Sequence, residues 1–236
     1  MELGKKVALI TGGTGELGTA LTSAFINEGA SVAATYYSEP EAEKFRSRFP
    51  DALTFKADLS KEADVVRIFG ELLEQKKRID VLCNLVGGYM PKKEIADLTE
   101  KEWDFMFSLN LKTCFLCSRS ALRIMRKQKY GRIINVSAMA GLTPEAGRGS
   151  YGLSKNAVAA FTAIAGEEVK LISDADITVN AIAPSVLLTS GNVQSASKED
   201  LRRWVTLEQA SAAITFLASD KASAINGQTI KVYGDV

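Results

Sequence analysis

The sequence predicts an α/β fold: one doubly wound sheet of about seven parallel strands, with helices on both faces. Three observations carry this. Short β-rich runs, apolar at nearly every position, alternate along the chain with longer stretches of helical period. Such runs suit strands buried on both faces, and their alternation with helices builds βαβ units, whose right-handed crossovers cover both sides of the sheet. No Pro-, Gly- or Ser-rich linker and no internal repeat interrupts the 236 residues, so 1–236 reads as a single domain.

The elements follow in order. KVALIT (6–11) ends in glycines and leads to a helix at 16–29. SVAATYY (31–37) precedes a helix at 40–48, and ALTFKA (52–57) one at 61–76. IDVLCNLVG (79–87) is followed by a long helical pattern at 99–128, and GRIINVS (131–137) by one at 151–172. DITVNAIAP (176–184), a helix at 207–219 and QTIKVYG (228–234) complete the set. The least patterned stretch, 185–203, is polar and rich in small residues. It follows the sixth strand, where open α/β sheets bind ligands, so it predicts a mobile substrate loop; an ordinary surface connection is the alternative.

Composition narrows the function. Net charge is +1, from 29 basic and 28 acidic residues, which gives no reason to expect nucleic acid or an anionic membrane as partner. No apolar run approaches the ~18 residues of a membrane span. A strand pattern begins within a few residues of Met1, leaving no room for a signal peptide, so the expectation is a cytoplasmic protein acting on a small molecule. The 3 cysteines are an odd count that fits free thiols. Cys114 and Cys117 have CxxC spacing but lie inside an apolar helix rather than opening one after a strand, so they read as small core residues. There are 0 histidines, so a His-based triad or metal site is excluded, no metal is expected, and acid–base chemistry falls to Tyr, Lys, Asp, Glu or Cys.

TGGTGELG (11–18) sits between the first strand and the first helix. Gly13, Gly15 and Gly18 satisfy G-x-G-x-x-G, with Gly12, Thr14, Glu16 and Leu17 filling the loop. One glycine allows the turn, one lets backbone approach a pyrophosphate, and one packs helix on strand; the helix N-terminus supplies N–H groups to the phosphates. Glu16 is expected to point outward. The second strand ends in Tyr36 and Tyr37, with neither an acid to repel a 2′-phosphate nor a base to hold one. Hydroxyls suit either dinucleotide, and the missing carboxylate leans the reading to NADP over NAD.

YGLSK (151–155) places Tyr151 and Lys155 one helical turn apart on one face, where an ammonium near a phenol lowers its pKa and makes an acid–base pair. RIINVSAMAGL (132–142) ends the neighbouring strand and offers Ser137, then Ala138. Side chains alternate along a strand, so these two should face opposite ways, unless the strand end twists Ser137 inward.

These motifs together resemble the short-chain dehydrogenase/reductase family over nearly the whole chain. ADL (57–59) is similar to the segment that meets adenine, through Asp58 and Leu59; NLVG (84–87) is similar to N-N-A-G, with Val86 and Gly87 at the cofactor; WDFMFSLNL (103–111) carries Asn110, and PSVLLT (184–189) carries Pro184 and Thr189. The resemblance implies a Rossmann-type fold and an NAD(P)-dependent oxidoreductase. Hydride would pass between nicotinamide and a carbonyl/alcohol or a pterin-like C=N bond. Tyr151 would be the acid/base, Lys155 would lower its pKa and hold ribose, and Asn110 would anchor a relay water. It also implies a homotetramer or homodimer through the helices near 111–128 and 151–172. The chain departs from the pattern at Glu16, Leu85 and Ser185, and most at Ala138, where the family usually has a catalytic Ser. Ser137 is then either a displaced catalytic hydroxyl or a structural one. NLVGGY (84–89) resembles the dihydropteridine reductase-like members, some of which lack that Ser. A non-catalytic dinucleotide-binding sensor or scaffold is the alternative.

Overall fold

The computed structural model describes residues 1–194 and 196–235, so Ser195 of the predicted substrate loop lies outside it. Seven strands form one sheet: β1 (Val7–Thr11), β2 (Ser31–Tyr36), β3 (Leu53–Lys56), β4 (Val81–Asn84), β5 (Tyr130–Val136), β6 (Asp176–Pro184) and β7 (Thr229–Val232). Their order is β3-β2-β1-β4-β5-β6-β7 and every neighbouring pair is parallel. The order reverses between β1 and β4, which opens a crevice at the carboxyl ends of the strands. The helices are α1 (Glu16–Asn27), α2 (Glu39–Arg48), α3 (Glu62–Lys76), α4 (Glu100–Phe107), α5 (Thr113–Gln128), α6 (Met139–Leu142), α7 (Gly149–Val169), α8 (Ser190–Val193), α9 (Asp200–Arg203) and α10 (Leu207–Ala218).

Each strand divides its side chains between two apolar layers, as period-2 alternation requires. Leu9, Leu82, Ile133 and Val179 pack on one face against α3, α5 and α7. Ala8, Ile10, Val81, Cys83 and Ile134 pack on the other against α1 and α10. All three cysteines are free and buried. Burial pushes the Cys114 thiol up to about 12 and raises the other two as well, which fits packing and not redox chemistry.

The amino ends of the strands are closed by buried charges. The Asp80 carboxylate accepts the Val7 N–H at 2.8 Å and pairs with Arg78 at 2.6 Å. Arg132, fully buried, bonds the Asp176 carboxylate at 2.7 Å and the Asp176 carbonyl at 2.9 Å. The opposite end of the sheet is left to the loops that follow each strand.

The helical pattern at 99–128 is not one helix. A π turn at Ser108–Lys112 separates α4 from α5. At this turn the Asn110 amide is claimed by the backbone of Gly88, 22 residues away, and the Thr113 hydroxyl donates to the Leu109 carbonyl at 2.7 Å. A widened turn of this kind aims side chains that a regular helix would misplace. Among the described residues of the segment 185–203, two short helices, α8 and α9, are present, and Leu187 bridges to Val205. Among the described residues, no helix is long and apolar enough to cross a membrane.

Candidate active site

The glycine loop joins β1 to α1 and is held against β2. Gly12 N–H donates to the Thr35 hydroxyl and Gly13 N–H to the Thr35 carbonyl, both at 3.0 Å. A Cβ on Gly18 would stand 2.5 Å from the Gly13 Cα, so only glycine lets α1 seat this close to the loop. Gly15 is the N-cap of α1 and no side chain caps the helix. Its first-turn N–H groups and positive dipole end are therefore available to phosphates. A cleft of about 520 Å³ lies beside it. Gly12, Thr14 and Gly15 form one side, Tyr36 and Tyr37 the far wall, and Asp58, Leu59 and Val86 the floor. Gly13 and Gly18 are buried behind it and Leu17 is half-buried. Phe105, Ser108, Leu109 and Thr113 line the cleft as well, and sequence reasoning missed them. Their only sequence signal is that they flank Asn110, and it takes the π turn to bring them round.

Glu16 is exposed, as expected of an outward side chain, yet it has a partner. Its carboxylate accepts the Ser190 N–H at 2.8 Å and the Ser190 hydroxyl at 2.6 Å. The acid that departs from the family pattern thus ties the cofactor loop to the segment after β6. In that segment Pro184 ends β6, and the Thr189 hydroxyl accepts the Asn192 N–H at 3.3 Å, capping α8.

Tyr151 and Lys155 lie in the first turns of α7, which is fastened to the end of β5. The Ser137 hydroxyl, 1% exposed, donates to the Lys155 carbonyl at 2.7 Å. The Lys155 ammonium donates to the Val136 carbonyl at 2.9 Å, and the Asn156 amide to the Gly141 carbonyl at 2.8 Å. Ser137 is thus turned into the fold, while Ala138, the residue on the other face, is a buried methyl. Above the pair runs the chain after β4. A Cβ on Gly87 would come within 2.8 Å of both the Lys155 Nζ and the Asn110 Oδ1, so glycine lets these two side chains pack against the backbone. Asn110 is a clamp: its Oδ1 accepts the Gly88 N–H at 2.8 Å, and its Nδ2 donates to the Ser154 hydroxyl at 2.9 Å.

Burial sets the charges. It pushes the Lys155 ammonium down to about 8, and it raises Tyr151, with the Arg148 charge opposing and Tyr89 adding to the rise. The spacing of Tyr151 and Lys155 predicts a lowered phenol; the geometry makes it a raised one, because the lysine turns to the Val136 carbonyl and desolvation dominates. Beneath the pair lies a polar network that sequence reasoning did not find. Asn84 Nδ2 donates to Asn135 Oδ1 at 2.8 Å and to the Ser118 hydroxyl at 2.9 Å, and Asn135 Nδ2 to the Thr162 hydroxyl at 2.9 Å. It locks β4, β5, α5 and α7 together under the site.

Sheet, glycine loop and Tyr/Lys helix define a nucleotide-dependent oxidoreductase of the doubly wound class. The family model of short chain dehydrogenases matches residues 6–200. The chain belongs to that family of NAD(P)-dependent oxidoreductases. It is 30% identical to the 3-oxoacyl-(acyl-carrier-protein) reductase of Synechocystis sp., over 97% of this chain and 96% of that one. It is also 30% identical to the FabG enzyme of the same name from Staphylococcus aureus, covering 97% of each. Among solved structures it superposes on levodione reductase with TM-score 0.88 and 28% identity, covering 98% of this chain and 97% of that chain. A short-chain dehydrogenase/reductase of Mycobacterium ulcerans shares the fold at TM-score 0.91 and 21% identity, covering 100% of this chain and 90% of that chain.

The buried lysine makes stability depend on pH. Its folded pKa of about 8 lies below the ordinary 10.5, so between those values the unfolded chain binds more protons and stability rises with pH. Complete, the rise amounts to ~3 kcal/mol, because each pH unit separating the two values contributes ~1.4 kcal/mol. The raised Tyr151 acts oppositely above its ordinary value of 10.0, and the three raised thiols above theirs of 9.0, where the unfolded groups ionise first. The lysine's share is therefore read as the difference between wild type and variant. Lys155→Met is expected to flatten the rise above pH ~8 in urea denaturation; an unchanged slope refutes the assignment.

Proposed function

We propose that the chain reduces the carbonyl of a small oxo compound, with Tyr151 as proton donor and Lys155 as the group that holds ribose and keeps positive charge beside it. One observation supports this: the Lys155 ammonium, one turn from Tyr151 on α7, lies against the Gly87 backbone, next to Val86 of the cleft beside the glycine loop. Nicotinamide, when bound, supplies or accepts the hydride. The raised Tyr151 keeps its proton at neutral pH, which suits giving it to a developing alkoxide. Asn110 holds the Gly88 backbone and Ser154 in place, so its side chain positions the site. Ser137 positions Lys155 through its carbonyl and is not the hydroxyl that meets substrate. That two relatives are 3-oxoacyl reductases and a structural neighbour is a levodione reductase supports an oxo substrate.

NADP is the proposed preference. The carboxylate next to the β2 end is engaged: Glu39 accepts a bond from Arg46 at 2.5 Å and lies 3.9 Å from Lys56. Arg46 lies over the ring of Tyr36, which lines the cleft, 5.4 Å from its centroid. Glu41 lines the same cleft, so the preference is modest. The chain is further proposed to self-associate. Phe107, Leu111, Phe115, Phe161 and Ile164 line an apolar groove between α5 and α7, and Ile164 is 60% exposed.

Tyr151→Phe is expected to cut turnover of oxo substrates by at least ~100-fold with cofactor binding intact, and unchanged turnover sinks the mechanism. In the same assay Ser137→Ala should cost about 1 kcal/mol of stability and little turnover; a large loss of turnover at unchanged stability would make it catalytic. Calorimetric titration should give NADPH about tenfold tighter binding than NADH, with the difference lost in Arg46→Ala; equal affinities in the wild type overturn the preference. Sedimentation equilibrium should find dimers or tetramers, and a monomer at micromolar concentration rules out the association.

A further inference from the structure

A carbonyl oxygen in reduction gains negative charge and can accept two hydrogen bonds, and Tyr151 supplies one. The end of β5 supplies no second: Ser137 is buried and bonded to Lys155, and Ala138 ends in a methyl. A second donor must come from another element, and the chain after β4 brings one. The Tyr89 ring stands edge-on to the Tyr151 ring, with centroids 5.3 Å apart and planes at 79°. It is 57% exposed, so it is reachable from solvent.

We propose that Tyr89 is a second catalytic hydroxyl, donating a hydrogen bond from its phenol to the oxygen of the reacting carbonyl while Arg148 holds it in place. The inference rests on Tyr151 as proton donor. Arg148 Nη1 donates to the Tyr89 hydroxyl, and its guanidinium lies 4.9 Å from the Tyr89 ring centroid. A guanidinium has no acceptor, so the phenol oxygen receives that bond and its own proton is left for another partner. No described residue accepts it. Arg148 is itself fixed, since Nε donates to the Glu145 carboxylate at 3.0 Å and Lys92 pairs with the same carboxylate. The two loops are zipped by the Lys93 N–H, which donates to the Gly147 carbonyl at 2.8 Å, and by a bridge between Lys93 and Arg148. Tyr89 is thus built into a wall that ends on Tyr151. In the reaction Tyr151 gives up its proton to the oxygen; Tyr89 donates a hydrogen bond and keeps its own. Arg148 is a positioning residue that acts through Tyr89.

The test uses NADPH and NADH oxidation with acetoacetyl-coenzyme A, levodione and quinonoid dihydropterin. Tyr89→Phe keeps the ring and its packing on Tyr151. It should lower kcat about a hundredfold, the usual effect of losing one oxyanion donor, with NADPH affinity and melting temperature unchanged. Arg148→Gln should lower kcat about tenfold alone and add nothing in the Tyr89→Phe background, a non-additivity that an unrelated structural role would not produce. If Tyr151→Phe is dead and Tyr89→Phe retains wild-type kcat, the Tyr89 role fails alone. If Tyr151→Phe is fully active, or no substrate turns over while NADPH binds, the carbonyl-reductase reading fails and takes the Tyr89 role with it.

Discussion

The seat of α7 on the end of β5 is the contact on which the site depends. Ser137 donates to the Lys155 carbonyl, Lys155 returns a bond to the Val136 carbonyl, and Asn156 reaches the Gly141 carbonyl. A strand end and the start of a helix are thereby joined by three hydrogen bonds whose partners are residues apart in sequence but fixed in space. Because Tyr151 lies one turn before Lys155, its ring direction follows from the seat. The polar network of Asn84, Asn135 and Thr162 supports the same joint, with the Asn84 Oδ1 left as its one buried atom without a partner among the described residues.

Parallel topology decides where this joint sits. The amino ends of the strands are sealed by Asp80 and Arg132, each buried and paired with a half-exposed partner, Arg78 or Asp176. The carboxyl ends carry the glycine loop, the chain after β4, the β5 end and the segment after β6. Each contributes backbone as much as side chain: N–H groups at α1, the close-packed Gly87, the Val136 carbonyl. The Glu16–Ser190 contact links the first of these loops to the last, so the glycine loop and the segment after β6 are joined.

Electrostatics and stability pull against each other here. Lys155 is 6% exposed and loses hydration that the Val136 carbonyl only partly replaces, hence its lowered pKa. A hydrophobic residue would suit the fold better at neutral pH. A buried, poorly satisfied ammonium at a cleft is the sort of cost retained for chemistry. The same desolvation keeps the Tyr151 proton on, so one burial sets both groups.

The sequence alone determined the seven strands and their parallel arrangement, because apolar runs alternating with helices leave few other packings. It also determined the glycine loop and the one-turn spacing of Tyr151 and Lys155, both local features of a few consecutive residues. It placed Ala138 and Ser137 on opposite faces but left open which way the strand end turns. Tertiary structure decided that, through the Lys155 carbonyl 18 residues away. It also decided the break at Asn110, the partner of Glu16, the raised phenol of Tyr151 and the edge-on packing of Tyr89 against it. None of these was legible, because each depends on which distant group meets the residue and how much water is excluded. Sequence periodicity reports which face is buried; it does not report what lies opposite.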